Sequence, residues 1–200
     1  MKEVDARGLS CPAPVLQTKA ILEETPLDEI KVVVDNAASQ QNVERFLKSQ
    51  GFETALSKDG DDFAVTGKGS SAPTPSEEMR QATQAEPGEQ KIMVMCATDR
   101  IGFGDDELGL KLMVNFIRTL NEMGPELWRL VLVNNGVKLA IDGSEVLTDL
   151  KAYEEKGLTI LVCGTCLEHF NILEQKRVGI TTNMLDIVTA MQLADKVINI

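Results

Sequence analysis

Long hydrophobic runs are absent from this sequence of 200 residues. The longest apolar stretches, such as residues 158–163, are far shorter than the roughly 20 residues that a membrane-spanning helix needs. Residues 1–5 also lack the apolar segment of a secretory signal. We therefore expect a cytoplasmic protein that does not bind membranes.

Positive charge is scarce as well. The chain has 20 Lys and Arg residues against 31 Asp and Glu residues, which gives a net charge of −11. Because binding to a phosphate backbone requires a clustered cationic surface, we expect no nucleic-acid partner. The hydrophobic fraction of 43% is ordinary for a globular protein and too high for a disordered one.

Cysteine and histidine are few, with four copies and one copy. In a reducing cytosol four cysteines do not indicate a disulfide scaffold, and such thiols are instead catalytic, metal-binding or buried. A structural zinc site needs four ligands, but Cys11, Cys96 and His169 form no second pair beside Cys163 and Cys166. We therefore expect no metal.

The glycine-rich segment 102–109 carries neither the pattern of a phosphate-binding loop nor that of a dinucleotide site. We therefore expect no cofactor. The acidic residues of this segment are typical of a strand-to-helix turn, and a lip over a nearby thiol site is the alternative.

Composition divides the chain into two domains. Residues 71–90 contain three prolines and many small or acidic residues, a composition that cannot bury enough surface to fold. We predict a first domain at 1–70, a flexible linker at 71–90 and a second domain at 91–200.

In the first domain, β-branched runs predict strands at 29–34 and 63–65. Helical spacing of apolar residues predicts one helix at 12–24 and a second that ends at Gly51. The order β-α-β-α-β-β predicts an α+β two-layer sandwich with both helices on one face of the sheet.

The second domain alternates strands and helices. We predict buried strands at 91–96, 130–133, 159–163 and 196–200, separated by helices at 107–123, 144–156 and 184–193. This alternation predicts an α/β fold with a doubly wound parallel sheet. Functional groups in such sheets gather beyond the carboxyl ends of the strands.

Cys11 is the first candidate for chemistry, within Ser10-Cys11-Pro12-Ala13-Pro14. Proline is favoured at the first helical position, so Pro12 places Cys11 at or beside the helix N-cap. Unpaired N–H groups and the helix dipole there favour a thiolate, which makes Cys11 a candidate nucleophile. The alternative is a buried, inert cysteine at a helix start.

Residues 4–15, reading VDARGLSCPAPV, closely resemble the signature of the TusA (SirA-like) sulfur-carrier family over a likeness that covers about residues 2–70. The resemblance implies that Cys11 carries sulfane sulfur as a persulfide. It also implies a sulfur or selenium donor, such as a cysteine desulfurase, and a downstream acceptor protein.

Cys163 and Cys166 are the second candidate, in a Cys-x-x-Cys directly after a predicted strand and before a short helix near 167–173. The spacing permits a dithiol loop with a reactive thiol. Alternatives are two unreactive core cysteines and a thiol–disulfide oxidoreductase site.

This half resembles the DsrE-like sulfur-relay fold, in which the acceptor cysteine matches Cys163. Cys166 is an addition that favours disulfide chemistry. The resemblance also implies homo-oligomers.

Both halves together resemble the YedF family of sulfurtransferase-like proteins, which are associated with selenium metabolism. Our leading hypothesis is a carrier that relays sulfane sulfur or selenium from Cys11 to Cys163, with Cys166 resolving the product as a disulfide. An oxidoreductase using Cys163 and Cys166, or a non-enzymatic adaptor, are the competing hypotheses. Catalysis as opposed to stoichiometric carriage stays open.

Three further sets of residues are weaker candidates. His169 is either a general base or a solvated residue. Asn134-Asn135-Gly136 lies near the same edge as Cys163 and either lines the site or is a simple turn. Cys96 ends a strand, and we expect it in the core.

Overall fold

The computed structural model describes residues 1–9, 12–25, 27–69 and 90–200. The chain divides into two compact units, Met1–Glu86 and Pro87–Ile200. Cys11 lies outside the described residues, and so does the predicted linker at 71–90 except for Gln90. The proposed boundaries at 70 and 90 stay predictions.

The first unit has the predicted order β-α-β-α-β-β. Its elements are β1 (Lys2–Asp5), α1 (Ala13–Glu24), β2 (Glu29–Val34), α2 (Ala37–Ser49), β3 (Glu53–Asp59) and β4 (Asp62–Lys68). The sheet order is β1-β2-β4-β3. Strand β2 is parallel to β1 and antiparallel to β4, which forms a hairpin with β3.

The hydrophobic pattern explains this unit. In β2, Ile30, Val32 and Val34 alternate with less buried residues and are fully buried, which gives the sheet one covered face. Helix α2 packs against β2, β3, β4 and α1. Gly51 follows α2 with φ of +86°, a conformation that glycine adopts without strain at a helix end. The α+β sandwich is therefore confirmed.

The second unit is a five-stranded parallel sheet in the order β8-β7-β6-β5-β9. The strands are β5 (Ile92–Cys96), β6 (Leu127–Leu132), β7 (Thr159–Cys163), β8 (Ile180–Thr182) and β9 (Lys196–Asn199). The helices are α3 (Asp106–Thr119), α4 (Leu147–Glu155), α5 (Gly164–His169) and α6 (Met184–Leu193), with 3₁₀ segments at Leu120–Glu126, Asn134–Ala140 and Leu173–Gln175. The doubly wound parallel sheet is confirmed.

Both faces of this sheet are covered, as its nearly continuous apolar strands predict. One face packs Val94, Leu130 and Ile160 beneath a large cluster that includes Ile117 and Leu150 of the flanking helices. On the other face, a smaller cluster joins Met93, Val131 and Leu161 to α6 through Ile187 and Ala190. The core therefore holds the carboxyl ends of the central strands in fixed positions.

The structure differs from the predicted elements at several points. The helix predicted at 107–123 ends at Thr119, and the chain continues as a 3₁₀ segment past Gly124, whose φ is +62°, and Pro125. The helix predicted near 167–173 begins earlier, at Gly164. Strand β8 was not predicted.

No helix within the described ranges is long and apolar enough to cross a membrane.

Candidate thiol site

The two cysteines of the Cys-x-x-Cys lie at the carboxyl edge of the parallel sheet. Cys163 is the last residue of β7 and the N-cap residue of α5, and Cys166 lies in the first turn of that helix. The segment that follows β6 begins at Asn134 and lies beside them. The site thus occupies the position at which open parallel sheets present functional groups.

Burial separates the two thiols. Cys163 is only 5% exposed, whereas Cys166 is partly exposed. Neither forms a disulfide with another described residue. A partner outside the unit therefore has access to Cys166 and almost none to Cys163.

Two donors point at the sulfur of Cys166. The thiol of Cys163 donates a hydrogen bond to it, and the backbone N–H of Asn134 donates another at 3.1 Å. These hydrogen bonds, together with a smaller electrostatic effect of His169, outweigh the opposing effect of burial and lower the pKa of Cys166 to about 6. A thiol with such a pKa is mostly thiolate at neutral pH, and the thiolate is the nucleophilic form.

The backbone near Asn134 is shaped to bring its N–H group to this place. Asn134 has φ of +48°, in the left-handed region that asparagine tolerates better than most residues. Two residues later, Gly136 packs against the chain after β5. A β-carbon at Gly136 would lie 2.2 Å from the carbonyl oxygen of Cys96, so only glycine fits there. The Val133 N–H binds that same oxygen at 3.0 Å.

These contacts decide between the two interpretations of Asn134-Asn135-Gly136. The segment opens a 3₁₀ turn, and its first residue also lines the thiol site through a backbone donor. The segment 134–136 was predicted from the sequence, but the Asn134 N–H group that binds Cys166 was not. A main-chain N–H leaves no residue-type signal in a sequence.

A polar cluster follows the neighbouring strand β8. Thr182 is paired with Cys163 in the sheet register, and its hydroxyl donates to the Asp186 carboxylate at 3.1 Å. The Asn183 amide donates to the same carboxylate at 2.9 Å, and its side-chain oxygen accepts from the Asp186 N–H at 3.2 Å. This cluster, which caps α6, fixes the strand next to Cys163. This cluster was not predicted, although the Asn-x-x-Asp spacing is a capping signal.

His169 ends α5 and stacks edge-to-face on Phe170, with ring centroids 5.1 Å apart. Lys138 lies over the other aromatic ring of this pair, with its Nζ 4.6 Å from the Phe170 centroid. The effect of His169 on Cys166 is electrostatic. Its role as a general base stays a prediction.

Cys96 is a core residue, as expected. It is fully buried, and this burial raises the pKa of its thiol to about 12. Since the thiolate is the reactive form, Cys96 is an inert cysteine outside the site.

The glycine-rich segment 102–109 is the strand-to-helix turn that its acidic residues predict. Asp105 caps α3 by accepting a hydrogen bond from the Leu108 N–H at 2.8 Å. Arg100 pairs with Asp99 and Asp106, which ties the turn to the helix start. A function as a lip over the thiol site stays a prediction. Over the described ranges, no group of three or more Cys, His, Asp or Glu side chains could hold a metal ion.

In the first unit, the described residues on either side of Cys11 are held in place. The Gly8 N–H donates to the Asp35 carboxylate at 2.6 Å. Arg7 binds both Asp5, at 2.7 Å, and Asp62, at 3.0 Å. On the other side, Pro12 is the N-cap residue of α1, so the helix begins at Ala13, one residue later than predicted. Its carbonyl accepts the first helical hydrogen bonds, from Val15 and Leu16. Cys11 itself lies outside the described residues, so its predicted thiolate stays a prediction.

Comparison with known proteins assigns the first unit. Residues 2–69 match the family model for the sulfurtransferase TusA. Over 60 residues the chain is 38% identical to a "Putative sulfur carrier protein" of Methanocaldococcus jannaschii, a match that covers 30% of this chain and 80% of that protein. The chain belongs to the TusA family of sulfur carriers.

Two more matches fall on the TusA-like unit. A protein of Archaeoglobus fulgidus with the same description is 35% identical over 54 residues, which cover 26% of this chain and 70% of that protein. The crystal structure of a SirA-like protein from Desulfitobacterium hafniense matches with 32% identity and a TM-score of 0.32, covering 34% of this chain and 96% of that one.

Residues 104–200 match the model of the DsrE/DsrF-like family. The predicted fusion of a TusA-like unit with a DsrE-like unit is therefore confirmed. Membership of a sulfur-carrier family implies that the chain interacts with proteins that donate and accept sulfur.

Proposed function

We propose that the chain relays sulfane sulfur or selenium from Cys11 of the TusA-like unit to Cys166 of the DsrE-like unit. The supporting observation is the sulfur of Cys166, partly exposed and bound by the Asn134 N–H at 3.1 Å and by the Cys163 thiol. Such a sulfur is a nucleophile that a partner can reach. The role of Cys11 is supported by the Cys-Pro-x-Pro motif within the matched residues 2–69.

This proposal gives the acceptor role to Cys166, whereas the DsrE resemblance gives it to Cys163. That resemblance makes Cys163 the acceptor, but an exposure of only 5% would hide an acceptor from its donor. Cys166 has both the access and the stabilised thiolate. Exchange between thiols needs these two properties and no general-base triad.

The transfer step is a thiol exchange. The Cys166 thiolate attacks the outer sulfur of a Cys11 persulfide. The sulfur–sulfur bond of that persulfide breaks, and its electron pair leaves on Cys11 as a thiolate. The products are Cys166 persulfide and free Cys11. Because both thiols belong to one chain, the effective concentration of the donor is on the order of mM for a tethered pair.

A cysteine desulfurase is the proposed donor, acting in the cytoplasm, where thiols stay reduced. Cysteine as its substrate supplies sulfur, and selenocysteine supplies selenium. The selenium role rests on the resemblance to the YedF family. Assembly through the DsrE-like unit is a further proposal, and light scattering of the purified chain checks it.

The test is loading followed by peptide mass spectrometry without reductant. Reduced protein is incubated with a cysteine desulfurase and cysteine or selenocysteine, and each cysteine peptide is examined for one added sulfur or selenium atom. In Cys166→Ser we expect the added atom on Cys11 only, and in Cys11→Ser we expect Cys166 to stay unloaded.

Cys96→Ala is the matched control, because it removes a cysteine outside the site and should load like the wild type. Wild-type protein that acquires no added atom on Cys11 or Cys166 would refute the relay.

A thiol–disulfide oxidoreductase is the second candidate, favoured by the direct hydrogen bond between the two thiols of the Cys-x-x-Cys. Such an enzyme would not use Cys11. Reduction of a disulfide substrate at the wild-type rate by Cys11→Ser would support this function, and loss of that activity would exclude it.

A further inference from the structure

We propose that Cys163 is a resolving thiol, which discharges the persulfide or perselenide on Cys166 and releases the chalcogen as hydrogen sulfide or hydrogen selenide. This inference rests on the relay proposed above and identifies the species that the relay releases. The DsrE-like unit would then be the point at which carried sulfur or selenium becomes a free, reduced species.

Cys163 is the thiol next to the sulfur of Cys166. Cys163 ends β7 and Cys166 lies one helical turn later, and the thiol of Cys163 is hydrogen-bonded to the sulfur of Cys166. When Cys166 is loaded, this sulfur becomes the inner atom of the persulfide. The thiol nearest to the inner atom is therefore Cys163.

Cys163 and Cys166 differ in burial. Cys163 is 5% exposed, so neither a donor protein nor a large acceptor reaches it. Because it is buried, Cys163 can act as a nucleophile only on the neighbouring Cys166. Partly exposed Cys166 can meet a partner, and buried Cys163 can then complete the reaction inside the unit.

Both thiols are held in place by neighbouring elements. The register pair Cys163–Thr182 and the Thr182–Asp186 hydrogen bond hold the end of β7. On the other side, the Asn134 N–H holds Cys166 at 3.1 Å. Attack on the inner sulfur would thus start from an existing contact, which reduces the entropy lost in reaching the reactive geometry.

The step balances without an added reactant. The sulfur of Cys163 forms a bond to the sulfur of Cys166, and the bond between Cys166 and the outer sulfur breaks. The proton of Cys163 passes to the outer sulfur, which leaves as hydrogen sulfide, or as hydrogen selenide when the outer atom is selenium. The protein is left with a Cys163–Cys166 disulfide. A thiol or dithiol reductant must then supply two electrons and two protons to restore both thiols.

A single-turnover experiment on the full chain tests this inference. The protein is loaded by a cysteine desulfurase with cysteine, separated quickly from the desulfurase and small molecules, and kept without reductant. Released sulfide is trapped with monobromobimane, and the disulfide peptide is quantified by mass spectrometry. We expect one sulfide for each Cys163–Cys166 disulfide, after which release stops. Added dithiothreitol should release no further sulfide once the loaded sulfur is spent, but it should restore both thiols for a second loading.

Cys163→Ser is the matched variant. Serine keeps a hydroxyl donor beside Cys166 but cannot form a disulfide, so Cys166 should load and hold its persulfide. Cys163→Ala provides the same test without the donor.

The outcomes separate the two proposals. Wild-type protein that loads Cys166 but forms no disulfide, or that releases sulfide no faster than Cys163→Ser, overturns the resolving role and leaves the relay intact. Wild-type protein that shows neither a loaded Cys166 nor a Cys163–Cys166 disulfide with released sulfide overturns the relay and the resolving role together. The ratio of sulfide to disulfide is measured on wild-type protein, so the test stands even if a variant fails to fold.

Discussion

Replacing Cys163 with alanine should raise the pKa of Cys166. The replacement removes the hydrogen bond that contributes most to the lowered pKa of Cys166, which is about 6. A hydrogen bond to a charged group contributes about 1.5–3 kcal/mol, and about 1.4 kcal/mol corresponds to one pKa unit. Because Cys166 is partly exposed and water can replace the lost donor, the lower half of that range applies. We expect a pKa of roughly 7 to 7.5 in the variant.

The rate of alkylation measures this change. Iodoacetamide reacts with the thiolate, so the rate at the Cys166 peptide, followed by mass spectrometry from about pH 5 to pH 9, traces its ionisation. Working in a Cys11→Ser background removes the other proposed nucleophile, and buried Cys96 is read separately on its own peptide. At pH 7 the thiolate fraction should fall from about nine-tenths to between one-half and one-quarter.

Cys163→Ser is the control, because its hydroxyl can still donate. Its midpoint should stay closer to that of the wild type than the midpoint of the alanine variant. If alanine, serine and wild-type proteins share one midpoint, Cys163 is not a donor to Cys166. If the wild-type midpoint lies at the ordinary value of a thiol, the electrostatic account of the site is wrong.

Three other substitutions have expected outcomes. Gly136→Ala places a β-carbon 2.2 Å from the Cys96 carbonyl oxygen, so the free energy of unfolding, measured with denaturant, should fall by roughly 1–3 kcal/mol. Alkylation of Cys166 should also become slower. An unchanged unfolding curve would contradict this packing. Asn134→Gly keeps the N–H donor and accommodates φ of +48°, so the alkylation midpoint of Cys166 should not move, and a rise would assign the effect to the asparagine side chain. Tyr153→Phe removes a buried hydroxyl that binds the Ile117 carbonyl oxygen at 2.8 Å, so stability should fall by about 1 kcal/mol while the alkylation profile of Cys166 stays the same.

Much of the fold was predictable because its elements have strong local signals. The apolar run at 159–163 and the helical spacing at 184–193 match β7 and α6 residue for residue. Strand β8 has only the three residues Ile180–Thr182, too few to show a pattern. The 3₁₀ segment after α3 continues the helical spacing of apolar residues, which explains why the predicted helix ran past Thr119.

The two cysteines of the site were predictable from the sequence, but their burial and hydrogen bonds were not. Spacing treats Cys163 and Cys166 as equivalent, and their difference arises from burial, which depends on how β7 and α5 pack. The donor to Cys166 is a backbone group of Asn134, and its position depends on the close approach that Gly136 permits. Neither contact has a signature in residue type or spacing.

The hydrogen bonds from Cys163, the larger cause, and from Asn134 also couple the ionisation of Cys166 to folding. The Asn134 donor lies 32 residues from Cys166 in the chain, and the unfolded chain makes neither bond. The thiol therefore has its ordinary pKa of 9.0 in the unfolded chain, against about 6 in the folded unit. Between these values the unfolded state binds more protons, so stability rises with pH. The stabilisation is complete above about pH 9 and is lost as the pH falls towards 6. Alkylation of Cys166 removes the titrating group, and with it this slope of stability against pH.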